Sequence, residues 1–200
     1  MKRTIILLGL LTVTQFMSGQ EVLPRKEALK LAFFVSADLK VLQNTPIATD
    51  VDVKQPVALR DGDYGALVLP EAKLTTDAIA KAGEQVVPIG QLWLRRLTPM
   101  RDGDAISSSQ LRVVQLDAGG ESHAAVQCAL GVKADGSGGL ELLVFGKDKT
   151  PLVKVPLKKV ESQESAPIGM SAEHADESGR IILKILGRYQ ATLVVTELEL

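Results

Sequence analysis

The run Ala124-Ala125-Val126-Gln127-Cys128-Ala129-Leu130-Gly131-Val132-Lys133 leads into Ala134-Asp135-Gly136-Ser137-Gly138-Gly139 and then Leu140-Glu141-Leu142-Leu143-Val144-Phe145. Together these residues decide the fold class. Val126, Cys128, Leu130 and Val132 alternate with Gln127, Ala129, Gly131 and Lys133, the period-two pattern of a strand with one buried face. The Asp-Gly-Ser-Gly-Gly stretch supplies residues that tolerate positive φ and turns the chain. Leu140 to Phe145 is almost continuously apolar, as a strand covered on both faces is. Lys147-Asp148-Lys149-Thr150-Pro151 turns the chain again. Val153, Val155 and Leu157 then alternate with Lys154, Pro156 and Lys158. The reading is a three-strand meander. Pro156 has no N–H to donate, so the Leu152 to Val160 strand is expected at an edge, with Lys154 and Lys158 discouraging further pairing.

Working outward, the same signals recur. Ala48 to Leu59 and Tyr64 to Leu69 read as a hairpin around Arg60-Asp61-Gly62-Asp63. Val86 to Leu97 is extended, and Leu111 to Leu116 feeds the meander. Ile181 to Leu186 and Tyr189 to Leu198 form a hairpin around Gly187-Arg188. Glu161 to Gly179 reads as a polar loop and Pro99 to Ser109 as a polar connector. Two stretches are helical. Ala28, Leu31, Ala32, Val35, Leu39 and Leu42 lie on one helical face, with Pro24 suited to the first turn and an end near Ser36 or Asn44. Thr75-Thr76-Asp77 opens a short helix that Gly83 closes. The expected fold is mainly β: an antiparallel two-sheet sandwich of about ten short strands, with an N-terminal helix and one short helix.

The segment 1–20 has the pattern of an export signal. Lys2-Arg3 is basic, Ile5 to Val13 is a short apolar core, and Ser18-Gly19 offers small residues for cleavage. The expected organisation is a signal peptide at 1–20, a helical segment at 21–45 and a β domain at 46–200. A subdivision into 46–98 and 105–200 is the alternative. The expected location is periplasmic or extracellular, with no membrane span in the mature chain. Cys128 is the only cysteine, so no intramolecular disulfide can form. Its phase with Val126 and Leu130 makes it a buried small hydrophobe.

The 200 residues are 46% hydrophobic and carry 23 basic against 24 acidic side chains. That balance gives no reason to expect nucleic acid or an anionic membrane as partner. The lysines 147, 149, 154, 158 and 159 have Asp148 and Glu161 among them and read as a solvated edge. Catalytic chemistry has few candidates. His123 and His174 are the only histidines, and the spacing around Glu173-His174-Ala175-Asp176-Glu177 matches no closed zinc site. Asp135-Gly136-Ser137-Gly138-Gly139 is only superficially similar to the nucleophile loop of trypsin-like serine proteases. Its Asp and Gly stand in the wrong order, and no histidine framework accompanies it. The repeated Arg-Asp-Gly-Asp at 60–63 and 101–104 offers two carboxylates per copy, short of a calcium shell, and reads as tight turns.

Gly90-Gln91-Leu92-Trp93-Leu94-Arg95-Arg96 is the one stretch with a site-like pattern. In a strand, Leu92 and Leu94 share one face while Gln91, Trp93 and Arg95 share the other. As the only Trp, with a large apolar area, Trp93 is expected in the core, which turns Leu92 and Leu94 outward. If the leucines take the core instead, Gln91, Trp93 and Arg95 become a candidate ligand-binding site: an aromatic flanked by an amide and a guanidinium. The leading functional expectation is an exported, non-enzymatic interaction or structural module with a protein or cell-envelope partner. The alternative is a module binding a carbohydrate or small apolar molecule. An enzyme ranks third. No cofactor, metal or catalytic set is expected.

Overall fold

The computed structural model describes residues 21–37, 42–118, 121–161, 166–175 and 178–199. The expected signal peptide at 1–20 lies outside the described residues, as does Leu39 of the expected helical face.

The chain is mainly β and antiparallel. In order it runs β1 (Glu21–Val22), α1 (Arg25–Val35), β2 (Val57–Asp61), β3 (Tyr64–Pro70), α2 (Thr76–Ala80), β4 (Val87–Arg95), β5 (Leu97–Arg101), β6 (Asp104–Ala105) and β7 (Val113–Ala118). It continues with β8 (Glu121–Ala134), β9 (Leu140–Phe145), β10 (Pro151–Lys159), β11 (Ile168–Ala175), β12 (Ser178–Ile185) and β13 (Tyr189–Glu197). The strand order is β1-β2-β3-β4-β8-β9-β10-β13-β12-β11. β7 pairs with β8, and β5 with β13 and β6. β11 comes back beside β2, so the sheet is nearly closed and barrel-like.

Where two separate sheets are expected, β10 belongs to both halves. It pairs with β9 from Pro151 to Leu157 and with β13 at Lys158 and Lys159. The strand read as an edge is therefore inside the sheet path. Pro156 is tolerated there because β13 joins only beyond it. Two further expectations are corrected. The polar connector at 99–109 contains β5 and β6, with Thr98 and Pro99 buried and β5 registered on Val195, Thr196 and Glu197. The polar loop at 161–179 contains β11, which is registered along its whole length on β12. Charged and small residues hide a period-two pattern there: Ile168, Met170 and Ala172 all face the core.

Among the described residues the core has one large part inside the barrel and two smaller parts outside it, one of them Ala129, Leu143 and Phe145. Inside the barrel, Leu59, Val68, Leu92, Leu94, Val126, Cys128 and Leu130 meet Ile168, Met170, Ile181, Leu183 and Leu193. Outside it, α1 lies over β2 and β3. Its Ala28, Ala32 and Val35, at i, i+4 and i+7, form the buried stripe. The two alanines allow close approach to Ala58, Leu67, Leu69 and Trp93 of the sheet. Pro24 begins α1 with φ −53, which its ring fixes, and Ser36 ends it. α2 is capped by the Thr75 hydroxyl, which accepts from the Ala78 N–H at 3.2 Å, and it buries Ile79 in the barrel. Cys128 is fully buried, and desolvation pushes its thiol up from the ordinary 9.0 to about 12.

Candidate functional site

β4 sits between β3 and β8, so neither edge is free. Leu92 and Leu94 point into the barrel and are completely buried. The expectation that they turn outward is overturned. Trp93 is also buried, at 3% exposure. The two expectations exclude each other only where one face of the strand is wet. Here the outer face is covered as well at Gln91 and Trp93, which are core like the leucines, while Arg95 is exposed.

The residues of the site-like pattern separate. Gln91 is a structural peg. Its amide N–H groups donate to the Leu42 carbonyl at 2.8 Å and to the Thr49 hydroxyl at 2.7 Å, and its oxygen accepts from Gln127 Nε2 at 2.8 Å. These bonds tie the 42–49 segment to the sheet and leave no group of Gln91 for a ligand. Trp93 and Arg95, in contrast, both line a cleft of about 620 Å³ between α1 and the outer face of the sheet. That volume lies within the range of small-molecule sites, about 300–1,000 Å³.

Strand register shows why the cleft exists. Arg60 pairs with Gly65, Gly65 with Arg95 and Arg95 with Ala125. In the next row Ala58 pairs with Leu67, Leu67 with Trp93 and Trp93 with Gln127. The second row is filled by Leu67 and Trp93 beneath the helix. The first row has only a glycine between its two arginines and an alanine beyond Arg95, so the sheet surface falls away there. A Cβ on Gly65 would make ordinary contacts, 3.5 Å from the Leu59 carbonyl oxygen and 3.7 Å from Arg95 Cβ. Gly65 thus leaves open a space that a side chain would occupy without clash.

The roof comes from a second flank of α1. Glu27, Lys30, Leu31 and Phe34 lie at i, i+3, i+4 and i+7, beside the alanine stripe, and all four line the cleft. Leu23, Val35, Leu116 and Ala125 complete an apolar interior. The polar groups stand at the rim: Glu27, Lys30, Arg60, Arg95 and His123. Arg60 is held by Glu21 at 3.0 Å. Among the described residues Lys30 and Arg95 make no hydrogen bond or ion pair. Trp93 is in the wall, and its buried Nε1–H has no hydrogen-bond acceptor among the described residues. An unmade bond of this kind costs about 1–3 kcal/mol.

A second, smaller cleft of about 260 Å³ follows the seam where β11 meets β2 and β3. Several charges in and beside it are paired. His174 Nε2 lies 2.7 Å from Asp61 Oδ2 across the seam. Arg96 bridges Asp63 at 3.2 Å and Glu197 at 2.9 Å, and its guanidinium lies 5.7 Å from the Tyr64 ring centre. Hydrogen bonds from Arg96 and then Tyr64 hold the Glu197 carboxyl below its usual range. Both Arg-Asp-Gly-Asp copies are hairpin turns, and Asp61 and Asp63 of the first are used in these pairs. Among the described residues no group of three or more His, Cys, Asp or Glu could hold a metal. The Asp135 stretch is a side-chain-capped turn. Asp135 Oδ1 accepts from the Ser137 N–H, the Ser137 hydroxyl and the Gly139 N–H, and the Ser137 bonds are the main reason its carboxyl is lowered.

Sequence reasoning missed Gly65, Lys30 and Phe34. The usable signals were a lone glycine inside an apolar strand, which marks a gap or a close approach, and apolar residues on α1 lying off its main stripe. No helix among the described residues is long and apolar enough to cross a membrane. Compared with known proteins, the chain matches no family model, no curated protein and no solved structure.

Proposed function

We propose that this chain is an exported, non-enzymatic binding module that holds a small apolar or amphipathic molecule in the cleft beneath α1. The observation that carries the reading is the cleft itself: an apolar interior of ligand size, walled by a Trp whose indole N–H lacks an acceptor. A buried donor left unpaired is costly for a purely structural element. Export rests on the Lys2-Arg3, Ile5–Val13 and Ser18-Gly19 pattern. The non-enzymatic reading rests on the apolar lining, which brings no nucleophile beside a base.

A second reading is a protein-interaction module in the cell envelope. It is favoured by one observation: Val22, Leu31 and Phe33, the exposed large hydrophobic residues, all belong to β1 and α1. Exposed apolar side chains on neighbouring elements suit a partner surface.

Trp93 is the only Trp, so its emission reports on the cleft. Titration with decanol should change Trp93 emission saturably. Gly65→Leu, which extends a side chain into the open row, should abolish that change while the thermal midpoint stays within a few degrees. An identical decanol response in Gly65→Leu would place the binding elsewhere and refute the assignment.

A further inference from the structure

Resting on the cleft as a ligand site, we propose that its ligand is a free, single-headed anionic amphiphile, an unbranched acyl chain ending in a carboxylate. The chain lies under α1 and the carboxylate sits at Arg95.

The interior sets the tail. Leu31, Phe34, Leu67, Trp93 and Leu116 present apolar surface, and the charged groups stand at the rim. A sugar needs several donors and acceptors along its length, and these walls do not offer them. A linear hydrocarbon asks only for apolar contact, and each buried methylene contributes about 0.8 kcal/mol.

The rim sets the head. Arg60 and Arg95 flank Gly65 in one cross-strand row. The Arg60 charge is already answered by Glu21. Arg95 and Lys30 are not answered by any described residue, and Glu27 is the one carboxylate on the lining. The mouth therefore keeps an excess of positive charge and a guanidinium with its donors unused. A guanidinium meets a carboxylate through two parallel N–H···O bonds, which a hydroxyl cannot match and an ammonium opposes. The glycine between the arginines leaves room for the head beside the Arg95 stem. The unengaged guanidinium at the mouth and the apolar interior thus match the two ends of one molecule.

The test is calorimetry on the chain from residue 21 to 200, below the micelle concentration, with decanoate, decanol and decylamine as probes. Decanoate should bind about tenfold or more tighter than decanol, and decylamine weakest. Arg95→Gln should bring decanoate down to the decanol affinity and leave decanol unchanged. Arg95→Lys should recover only part of the preference. Equal affinity for decanoate and decanol in the unaltered protein would overturn the anionic head while the apolar cleft stands. No binding of any of the three, with Trp93 emission unmoved, would overturn both. A concentration-dependent dimer that shields Trp93 from acrylamide without any amphiphile would also overturn the proposal, in favour of a second copy of the chain as occupant.

Discussion

The two faces of β4 are both buried, yet they are built differently. On the inner face, Leu92 and Leu94 meet side chains from across the barrel, and the space is filled by Leu, Val and Ile from strands far apart in sequence. On the outer face, Gln91 and Trp93 lie under one short helix and the 42–49 segment, and Arg95 at the end of the strand is exposed. A sheet closing on itself covers its interior from all sides. A single helix covers only the strip it touches, and the alanine stripe of α1 settles on the Leu67–Trp93 row. The Gly65 row beside it is left open. The inner face holds the fold together, and the outer face has room to bind.

That difference is open to attack from the inner side first. Leu92→Asp or Leu94→Asp would bury a carboxylate with no partner, at a cost of more than about 4 kcal/mol, enough to prevent folding. Circular dichroism and solubility of each variant would show it. A folded Leu94→Asp would mean that the barrel interior is wet.

Trp93→Ala comes next. Large-to-small changes of a buried aromatic cost about 3–5 kcal/mol, and the lower end is expected here because the wall already borders open space. Denaturant unfolding followed by far-ultraviolet circular dichroism measures it. A loss under about 1 kcal/mol would place Trp93 outside the packed layer.

Cys128 tests the inner face by pH. Its thiol is raised from 9.0 to about 12 by burial. The folded state therefore favours the neutral thiol, and the stability this gives is intact below pH 9 and lost as pH rises towards 12. Cys128→Ala should show a shallower fall in stability over that window than the unaltered protein. The native thiol should label slowly with an alkylating reagent, and quickly once unfolded. Cys128→Ser should cost about 1–3 kcal/mol, since it buries a hydroxyl with no assured partner.

The seam pair should matter least. His174 and Asp61 meet at 2.7 Å, but the histidine side chain is 62% exposed. His174→Ala should change stability by under about 1 kcal/mol. A larger loss, read from the unfolding midpoint, would make the seam a closure point of the barrel and not a solvated margin.

The legible parts of the fold were those with local patterns. The β8–β9 turn and the Gly187 turn show positive φ at their glycines. α1 ends at Ser36, the earlier of the two ends its sequence offers, and Cys128 is buried as its phase requires. The illegible parts depend on partners distant in sequence. β11 carries Glu173 and His174, so its short apolar alternation is diluted, and only β12 makes it a strand. β5 looks like a connector until β13 pairs with it. Pro156 reads as an edge signal, although only the last two residues of its strand take a second neighbour. The candidate site was half legible. Trp93 and Arg95 were visible as a pair on one strand face. Gln91 shares that face, and nothing local reveals that the Leu42 carbonyl and Thr49 engage its amide. Gly65, Lys30 and Phe34 join Arg95 only through the register of β3 on β4 and the seating of α1.

The most direct measurement uses the single indole of the chain. In a ¹⁵N-labelled sample the Trp93 Nε1–H gives one isolated resonance, which can be followed while decanoate is added. Ligand in the cleft should give a saturable shift of that resonance, abolished in Gly65→Leu. An indole resonance that stays in place while decanoate binds would contradict the assignment of the cleft beneath α1 as the ligand site.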